Sequence, residues 1–324
     1  MTTPFPLLRL PRLALIPVFQ QMEPLGIIAF SLLSKRAMRL SQFFRLKSEV
    51  VSLVLGANRI DMMVRLNCGL ELGLDYQIGN GRVIWWIHQK KIVWPKLRRL
   101  SMVDCISRII RVTHSNFIDD LSIFEVPRYD VFPILGLLPT IHKVSVSNIP
   151  DTLALGALKI VLLKTSKLDL CPTYQLRSME KFQEILIANL DVINISRDLP
   201  FTLDDLLMTN AIKIKLKNPT LKAKDLNRFF KLWMQNRCNP RMEYLSVWTD
   251  NFFREDLLRN GLNAVQVSGG TTRTFRVSGY VKQQPIGKTI SGGFDIKRVD
   301  GTKGTIEIRK MLFRDIQIRF YVWP

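Results

Sequence analysis

The residue types that most often carry catalysis or bind metals are few and scattered in this chain. The three histidines stand far apart, and no HExxH, Cys–His or GxSxG pattern accompanies them. Gly287-Lys288-Thr289 ends like a phosphate-binding loop, but lysine occupies position 282, where that loop requires glycine. The acidic pairs Asp119-Asp120 and Asp204-Asp205 fit helix starts and solvated loops better than an acid–base dyad. The sequence therefore predicts a protein that is not an enzyme and that uses no metal or cofactor.

The cysteines and the apolar segments restrict where the protein works. The four cysteines are too far apart for a CxxC pair, and their spacing is typical of buried free thiols in a reducing compartment. No stretch approaches the ~18 apolar residues that span a bilayer. Residues 13–19 follow two arginines as in a signal peptide, but this run is short and Pro17 interrupts it. We expect a cytoplasmic or nuclear protein that does not bind membranes.

The net charge of +20 raises the question of nucleic-acid binding. The excess is +5 in residues 1–50, +4 in 51–150, +6 in 151–279 and +5 in 280–324. A groove that binds nucleic acid more often concentrates its charge on one element. The even distribution indicates a basic, solvated surface, and a basic nucleic-acid-binding α/β protein remains the alternative.

Apolar residues near the N-terminus recur at helical spacing. Leu15, Val18, Phe19 and Met22 mark one face of a first helix, and residues 25, 28, 32 and 33 repeat the pattern on a second. Ser34 is placed to cap a third helix over about residues 35–43. Pro17 leaves open where the first helix begins, because proline is tolerated only in a first turn. Three such short helices cannot bury enough surface alone, so they must pack against a partner or the rest of the chain.

This N-terminal segment resembles the F-box of the expanded nematode F-box families. The resemblance rests on F-P-L-L-x-L-P at residues 5–11 and on I-I-x-F-S-L-L-S-K-R at residues 27–36. It implies a short helical module, residues 1–45, that docks on a Skp-type adaptor and through it on a cullin–RING ubiquitin ligase. The adaptor-binding residues that it implies are Leu10, Pro11, Leu15, Val18, Phe19, Leu25, Ile28, Ser31, Ser34 and Lys35. Among these, it implies that the apolar residues 15, 18, 19, 25 and 28 contact partly the adaptor and partly the module's own core. An ordinary helical N-terminal arm is the alternative.

Residues 50–270 alternate strand-like and helix-like patterns. Predicted strands cover residues 97–103, 143–147, 184–188, 211–216 and 244–248. Predicted helices cover residues 201–208, capped by Thr202, and also 223–236 and 252–260. Strand centres near residues 187, 214, 247 and 265 lie 27, 33 and 18 residues apart, as in an irregular leucine-rich-repeat-like array. A non-repetitive α/β sandwich is the alternative.

The C-terminal residues 271–324 are predicted to form a small antiparallel sheet. Asp300-Gly301 between alternating runs is a strong hairpin signal, and residues 316–323 supply a last strand. N-P-R-M-E-Y-L at residues 239–245, R-V-D-G-T-K-G-T-I at 298–306 and the final F-Y-V-W resemble the type-2 F-box-associated domain. That resemblance spans about residues 200–324, and the order of the two modules matches the family.

Together these patterns predict an α/β protein that selects substrates for a Skp–cullin–F-box ubiquitin ligase. The target protein is not identified by the sequence. Trp85-Trp86, the most conspicuous aromatic pair, fits a buried element better than an exposed anchor for a partner. An F-box scaffold acting outside ubiquitin ligation is a further alternative.

Overall fold

The chain folds into two compact units, residues 1–144 and 145–324. The predicted three-part division into residues 1–45, 50–270 and 271–324 stays a prediction. The computed structural model describes residues 10–44, 46–78, 82–87, 90–94, 100–171, 182–196, 200–217, 219–249, 253–276, 288–310 and 316–323.

The first unit begins with three short helices, where the spacing of apolar residues predicts them. They are α1 (Arg12–Gln20), α2 (Pro24–Leu33) and α3 (Lys35–Ser41), followed by a 3-10 turn at Gln42–Phe44. The Ser34 hydroxyl caps α3 by accepting a hydrogen bond from the Ala37 N–H at 3.0 Å. Helix α1 begins at Arg12 and continues through Pro17, so the proline lies beyond the first turn and removes one helical hydrogen bond.

The sheet of the first unit is mostly an antiparallel meander. Its strands are β1 (Ser48–Leu55), β2 (Arg59–Leu66), β3 (Glu71–Gln77), β4 (Arg82–Ile87), β5 (Lys90–Trp94) and β6 (Phe117–Phe124). Their order is β6-β1-β2-β3-β4-β5, and β6 alone of these strands runs parallel to its neighbour, β1. Val51, Leu53 and Leu55 are buried while the residues between them are part-exposed, which gives the sheet one core face and one open face.

Helix α4 (Met102–Val112) corrects the strand predicted over residues 97–103. Residues 97–99 lie outside the described residues, and Met102 and Val103 form the first turn of α4. The Ser101 hydroxyl caps this helix by accepting from the Asp104 N–H at 3.1 Å. Arg108 then donates to the carbonyl oxygens of Ser31 and Leu32 at 3.3 and 2.9 Å, and so neutralises the C-terminal end of α2. A short helix, α5 (Phe132–Leu137), follows β6.

The second unit opens with parallel strands that alternate with helices. Strand β7 (Thr140–Ser147) leads from the first unit into the second. The next elements are α6 (Asp151–Val161), β8 (Thr165–Cys171), α7 (Gln183–Leu186), β9 (Val192–Ile195), α8 (Leu203–Met208), β10 (Lys213–Lys217), α9 (Ala223–Met234), β11 (Tyr244–Thr249) and α10 (Glu255–Arg259). Strands β8, β9, β10 and β11 pair in that order, all parallel. The strands predicted over residues 143–147, 211–216 and 244–248 are confirmed, as are the helices α8 and α9.

The strand predicted over residues 184–188 is wrong. Phe182, Ile185 and Leu186 are buried at a helical spacing, whereas Ile187 is 54% exposed. The segment therefore forms the short helix α7, and β9 begins later, at Val192. Residue 187 is therefore not the centre of a strand. The leucine-rich-repeat-like period, which was counted from it, stays a prediction.

The end of the second unit is antiparallel, as predicted. Its strands are β12 (Val265–Phe275), β13 (Lys288–Lys297), β14 (Lys303–Lys310) and β15 (Ile316–Val322), and β15 pairs antiparallel with β11. The β13–β14 hairpin turns at Asp300-Gly301, where Gly301 has a φ of +94° that favours glycine. Phe320 of β15 packs against Phe230 and Trp233 of α9, with ring centroids 4.9 and 4.8 Å apart. These aromatic rings form the core between the strands and the helices of this unit.

Candidate functional site

The N-terminal helices divide the predicted adaptor-binding residues into a buried and an accessible group. Leu15, Phe19, Ile28 and Ser31 are at most 3% exposed, so in this structure they pack inside the first unit. The Ser31 hydroxyl donates to the Ile28 carbonyl oxygen within α2. The others remain part-exposed or exposed; they are Leu10, Pro11, Val18, Leu25, Ser34 and Lys35.

An apolar groove of about 400 Å³ opens beside α1. Phe19 forms its floor and stacks on Phe44 with ring centroids 4.5 Å apart. Ile16 and Phe43 line the groove and are 39% and 55% exposed. We call this groove the α1 surface and define it by Ile16 and Phe43; Val18 is 37% exposed but projects from another side of α1.

The sequence pattern did not single out Ile16 and Phe43. Four of the twelve large apolar side chains that are exposed in the described part of the chain lie in residues 10–44; they are Ile16, Val18, Leu33 and Phe43. Scattered surface apolar residues are ordinary, but such a concentration on three short helices is typical of an interaction surface. One sequence signal could have pointed to this surface: α1 is apolar on nearly all sides. A helix that is buried on one face needs apolar residues on that face only.

The second unit carries a polar layer on the sheet face opposite its core. Glu307 of β14 is 4% exposed, and its carboxylate accepts from Arg309 at 2.7 Å and from the Tyr321 hydroxyl at 2.9 Å. Arg319 of β15 lies 3.4 Å from the same carboxylate. Next to it, the Gln317 amide donates to the Ser246 hydroxyl at 2.8 Å. These bonds join β14, β15 and β11 through side chains on this face, while the Gln317 Oε1 and the Arg319 Nε atoms have no hydrogen-bond partner among the described residues.

Strand β10 presents a row of lysines on this same face. Its intervening residues point into the core, so Lys213, Lys215 and Lys217 project together on the other side. We call these three residues the lysine column. Lys167 of β8 lies in the same cross-strand row as Lys213, separated by Val192 of β9.

The lysine column is electrostatically strained. Partial burial, together with the neighbouring Lys215 and Lys167, lowers the pKa of Lys213 from 10.5 to about 8. Burial and Lys167 also lower the pKa of Lys215, against the opposing effect of Asp169. Within the described residues, none of the three column lysines forms an ion pair. The nearest aromatic contact is the Tyr244 ring, whose centroid is 5.4 Å from the Lys213 Nζ.

Lys213→Met is expected to raise the free energy of unfolding at pH 7. The gain is about 1 kcal/mol or less, because solvent still screens a part-buried ammonium group. Below pH 8 Lys213 is charged in the folded and in the unfolded protein, so the folded protein bears the full cost of burying that charge. Between pH 8 and 10.5 the unfolded chain keeps the proton that the folded chain has released, so the wild type regains stability. Urea unfolding at pH 7 and pH 10 should show the advantage of the variant shrinking. Lys217→Met is the control, because that side chain is exposed, and a pH-independent gain would contradict the prediction.

The first unit has a groove of a different character on its open sheet face. It has a volume of about 510 Å³ and is bordered by Met63, Asp61, Asp75 and Trp86. Trp86 is 44% exposed and packs over Gly73, whereas its neighbour Trp85 is 2% exposed. Consecutive strand residues point to opposite faces, so the core location predicted for the pair is confirmed for Trp85 and wrong for Trp86.

The remaining chemistry-bearing residues have structural roles. The Asp205 carboxylate accepts from the Thr202 N–H at 2.8 Å in a capping box, as a helix start predicts. Asp119 and Asp120 lie on strand β6 rather than in a loop; Asp119 accepts from the Val51 N–H at 2.7 Å, and Asp120 pairs with Lys143 at 3.0 Å.

Two of the four cysteines are buried as expected, and the other two are exposed. Cys105 and Cys238 are buried, and burial raises the pKa of each thiol to about 12, which makes them inert. Cys68 and Cys171 are exposed, contrary to the expectation of buried thiols. In the described parts of the chain, no three His, Cys, Asp or Glu residues come together as a metal site. No helix among those parts has the length and apolarity needed to span a membrane.

Residues 181–247 match the model of a protein family described as F-box associated. The matched segment is about a fifth of the chain and contains α7 to α9, β9 and β10, and β11 as far as Val247. It includes the N-P-R-M-E-Y-L motif at residues 239–245 and extends N-terminal to the predicted boundary near residue 200. No curated protein and no solved structure matches the chain. The match supports an F-box-associated domain here and a role in protein–protein interaction, and the lysine column lies inside it.

Proposed function

We propose that the protein is the substrate-recognition subunit of a Skp–cullin–F-box ubiquitin ligase. The observation that carries this proposal is the F-box-associated match at residues 181–247, which follows a module of three short helices with an exposed apolar surface. In this proposal the α1 surface docks on a Skp-type adaptor, and the second unit captures the target in the cytoplasm or the nucleus. The resemblance of residues 5–11 and 27–36 to an F-box supports the assignment of the first role.

The packing of the N-terminal helices supports a docking role. Their own core is closed by Leu15, Phe19 and Ile28, and Arg108 anchors α2 to α4. The helices are therefore held in place by the first unit. Ile16 and Phe43 are 39% and 55% exposed, and burying apolar and aromatic side chains of this kind in the core of an interface contributes favourable binding free energy.

Such a protein needs no catalytic residue of its own. Holding a target near a charged ubiquitin carrier raises the effective concentration of the target lysines, and that proximity is its contribution to the reaction. An F-box scaffold outside ubiquitin ligation would use the same docking surface, and it differs only in whether a cullin joins the complex.

The pair Ile16→Glu and Phe43→Glu in the full chain is expected to weaken binding to a purified Skp-type adaptor by roughly 100-fold or more. Each substitution would bury an unpaired carboxylate at an apolar contact, at a cost of about 2 kcal/mol or more. Both side chains are over a third exposed, so the fold should persist. Surface-immobilised adaptor and titrated full-length protein provide the measurement.

The matched control is Leu163→Glu with Val299→Glu, which adds the same charge at side chains that are 97% and 74% exposed in the second unit. This control should bind the adaptor like the wild type. If the wild-type chain binds no Skp-type adaptor, or if both pairs weaken binding equally, the proposed docking role is wrong.

A further inference from the structure

The lysines of the column are spaced like alternate residues of an extended peptide. Alternate residues on a strand are separated by ~6.7 Å, and so are alternate residues of an extended peptide lying parallel to it. Lys215 and Lys217 are exposed, and Lys213 is half-buried at the same level as the Tyr244 ring. The column therefore offers three ammonium groups at a spacing that matches side chains on one face of an extended chain.

Carboxylates lie on both sides of the column in the row of Lys215. On one side, Asp169 of β8 lies two strands away. On the other side, the row continues through Ser246 and Arg319 to the carboxylate of Glu307. The three column lysines themselves lie on one strand, with Lys167 two strands away in the row of Lys213, and a line of charges along one strand suits a single extended chain better than a nucleic-acid duplex.

The aromatic residues beside the column are packed together. Tyr244 and Tyr321 form a small core with Phe275 and Ile290, and Trp323 packs against it. Because Tyr244 is 6% exposed, its face is not free to stack on an unpaired base, as single-strand binding proteins require. This cluster instead forms a firm wall at the Lys213 end of the column.

We propose that the lysine column binds an extended acidic segment of a protein, with carboxylates at alternate positions paired with Lys213, Lys215 and Lys217. The inference rests on the proposed adaptor function, because it assigns the target class that the second unit captures. The geometry of the row supports it, because Lys213 is half-buried and lies near Lys215 and Lys167; burial and the repulsion from these two lysines lower the pKa of Lys213, and a bound carboxylate would relieve the repulsion.

The test uses the full-length protein and a labelled peptide of alternating glutamate and serine, followed by fluorescence anisotropy at about 150 mM salt. The triple change of Lys213, Lys215 and Lys217 to glutamine is expected to reduce peptide affinity by at least about tenfold. The control changes Lys224, Lys297 and Lys310 to glutamine, which removes the same charge from exposed side chains of the same unit. This control should retain most of the affinity.

A charge exchange keeps the test valid if the triple variant folds poorly. Lys215→Glu with Lys217→Glu alters only exposed side chains, and it should bind a peptide of alternating lysine and serine that the wild type does not bind. Equal loss in the triple variant and its control would overturn the proposal. Preference of the wild type for a single-stranded oligonucleotide over the acidic peptide, lost in the triple variant, would overturn it in favour of nucleic acid.

Adaptor binding measured on the same preparations separates the two proposals. A wild type that binds the Skp-type adaptor but not the acidic peptide refutes only the lysine-column site. A wild type that binds the peptide through the column but no adaptor refutes only the ubiquitin-ligase function.

Discussion

Gly304→Ala is expected to lower the free energy of unfolding of the second unit by about 2–3 kcal/mol, because it forces a methyl group into a filled core. A Cβ at this position of β14 would lie 2.5 Å from the Cε2 and Cζ atoms of Phe320 and 3.1 Å from Cη2 of Trp233. Both rings are fully buried and pack edge to face, so neither can move aside without opening the core. The urea midpoint should fall by roughly 1 M.

Two further variants test the cause of that loss. Gly269→Ala is the control, since a Cβ there meets nothing within 4 Å, and we expect a change within about 0.5 kcal/mol. Phe320→Leu combined with Gly304→Ala should lose less stability than the two single changes predict together, by about 1 kcal/mol or more. Strict additivity would show that the clash with Phe320 is not the cause.

Glu307→Ala is expected to lower the free energy of unfolding by about 3–5 kcal/mol, because it leaves buried groups of the polar layer without their partner. Arg319 would keep a charge at a side chain that is 11% exposed, and the Tyr321 hydroxyl would lose its acceptor. Burial, Tyr244 and the Glu307 carboxylate hold the pKa of Tyr321 well above its ordinary value, and burial and Tyr244 persist in the variant, so the phenol stays neutral and cannot compensate for the loss.

The matched control for Glu307 is Glu71→Ala in the first unit. Glu71 pairs with Arg65 at 2.5 Å, but the two side chains are 48% and 45% exposed. Exposed pairs of this kind contribute at most about 1 kcal/mol, so urea unfolding should separate the two variants clearly. Similar losses for both would mean that the buried network adds no stability beyond that of a surface pair.

Much of the secondary structure follows from local signals. Ser34 caps α3, Thr202 and Asp205 form the capping box of α8, and Asp300-Gly301 turns the β13–β14 hairpin. Each of these signals acts within four residues, so no knowledge of the tertiary structure is needed to identify it. The three N-terminal helices could be predicted in the same way.

Other features depend on contacts between distant residues and could not be predicted. Residues 184–188 form a short apolar run, and the periodicity of such a run does not distinguish a strand from a helix. The segment is helical because Phe182 is buried together with Ile185 and Leu186. Similarly, the N-terminal helices divide their residues into core and surface through contacts between elements: Phe19 packs against Phe30 and Phe44, and α4 contacts α2. The resemblance implies apolar contacts partly to an adaptor and partly to the helices' own core, and it could not show that Leu15, Phe19 and Ile28 are the buried ones.

The lysine column lies between these two cases. The alternation K-I-K-L-K already predicts a half-buried strand with lysines on its outer face. The sequence could not show that Lys167 and Tyr244 lie on either side of that strand, because the strand order β8-β9-β10-β11 in the sheet is what brings them there. The site became visible only once the strand order was known.

The proposed function requires this chain to join a cullin-based ubiquitin ligase through a Skp-type adaptor. Light scattering coupled to size exclusion, with the full-length chain added to a purified Skp–cullin assembly, tests it directly. We expect a complex heavier by one copy of this 37.5 kDa chain, and the Ile16→Glu and Phe43→Glu pair should abolish that increase. Elution of the wild-type chain separately from the intact Skp–cullin assembly would contradict the proposed function.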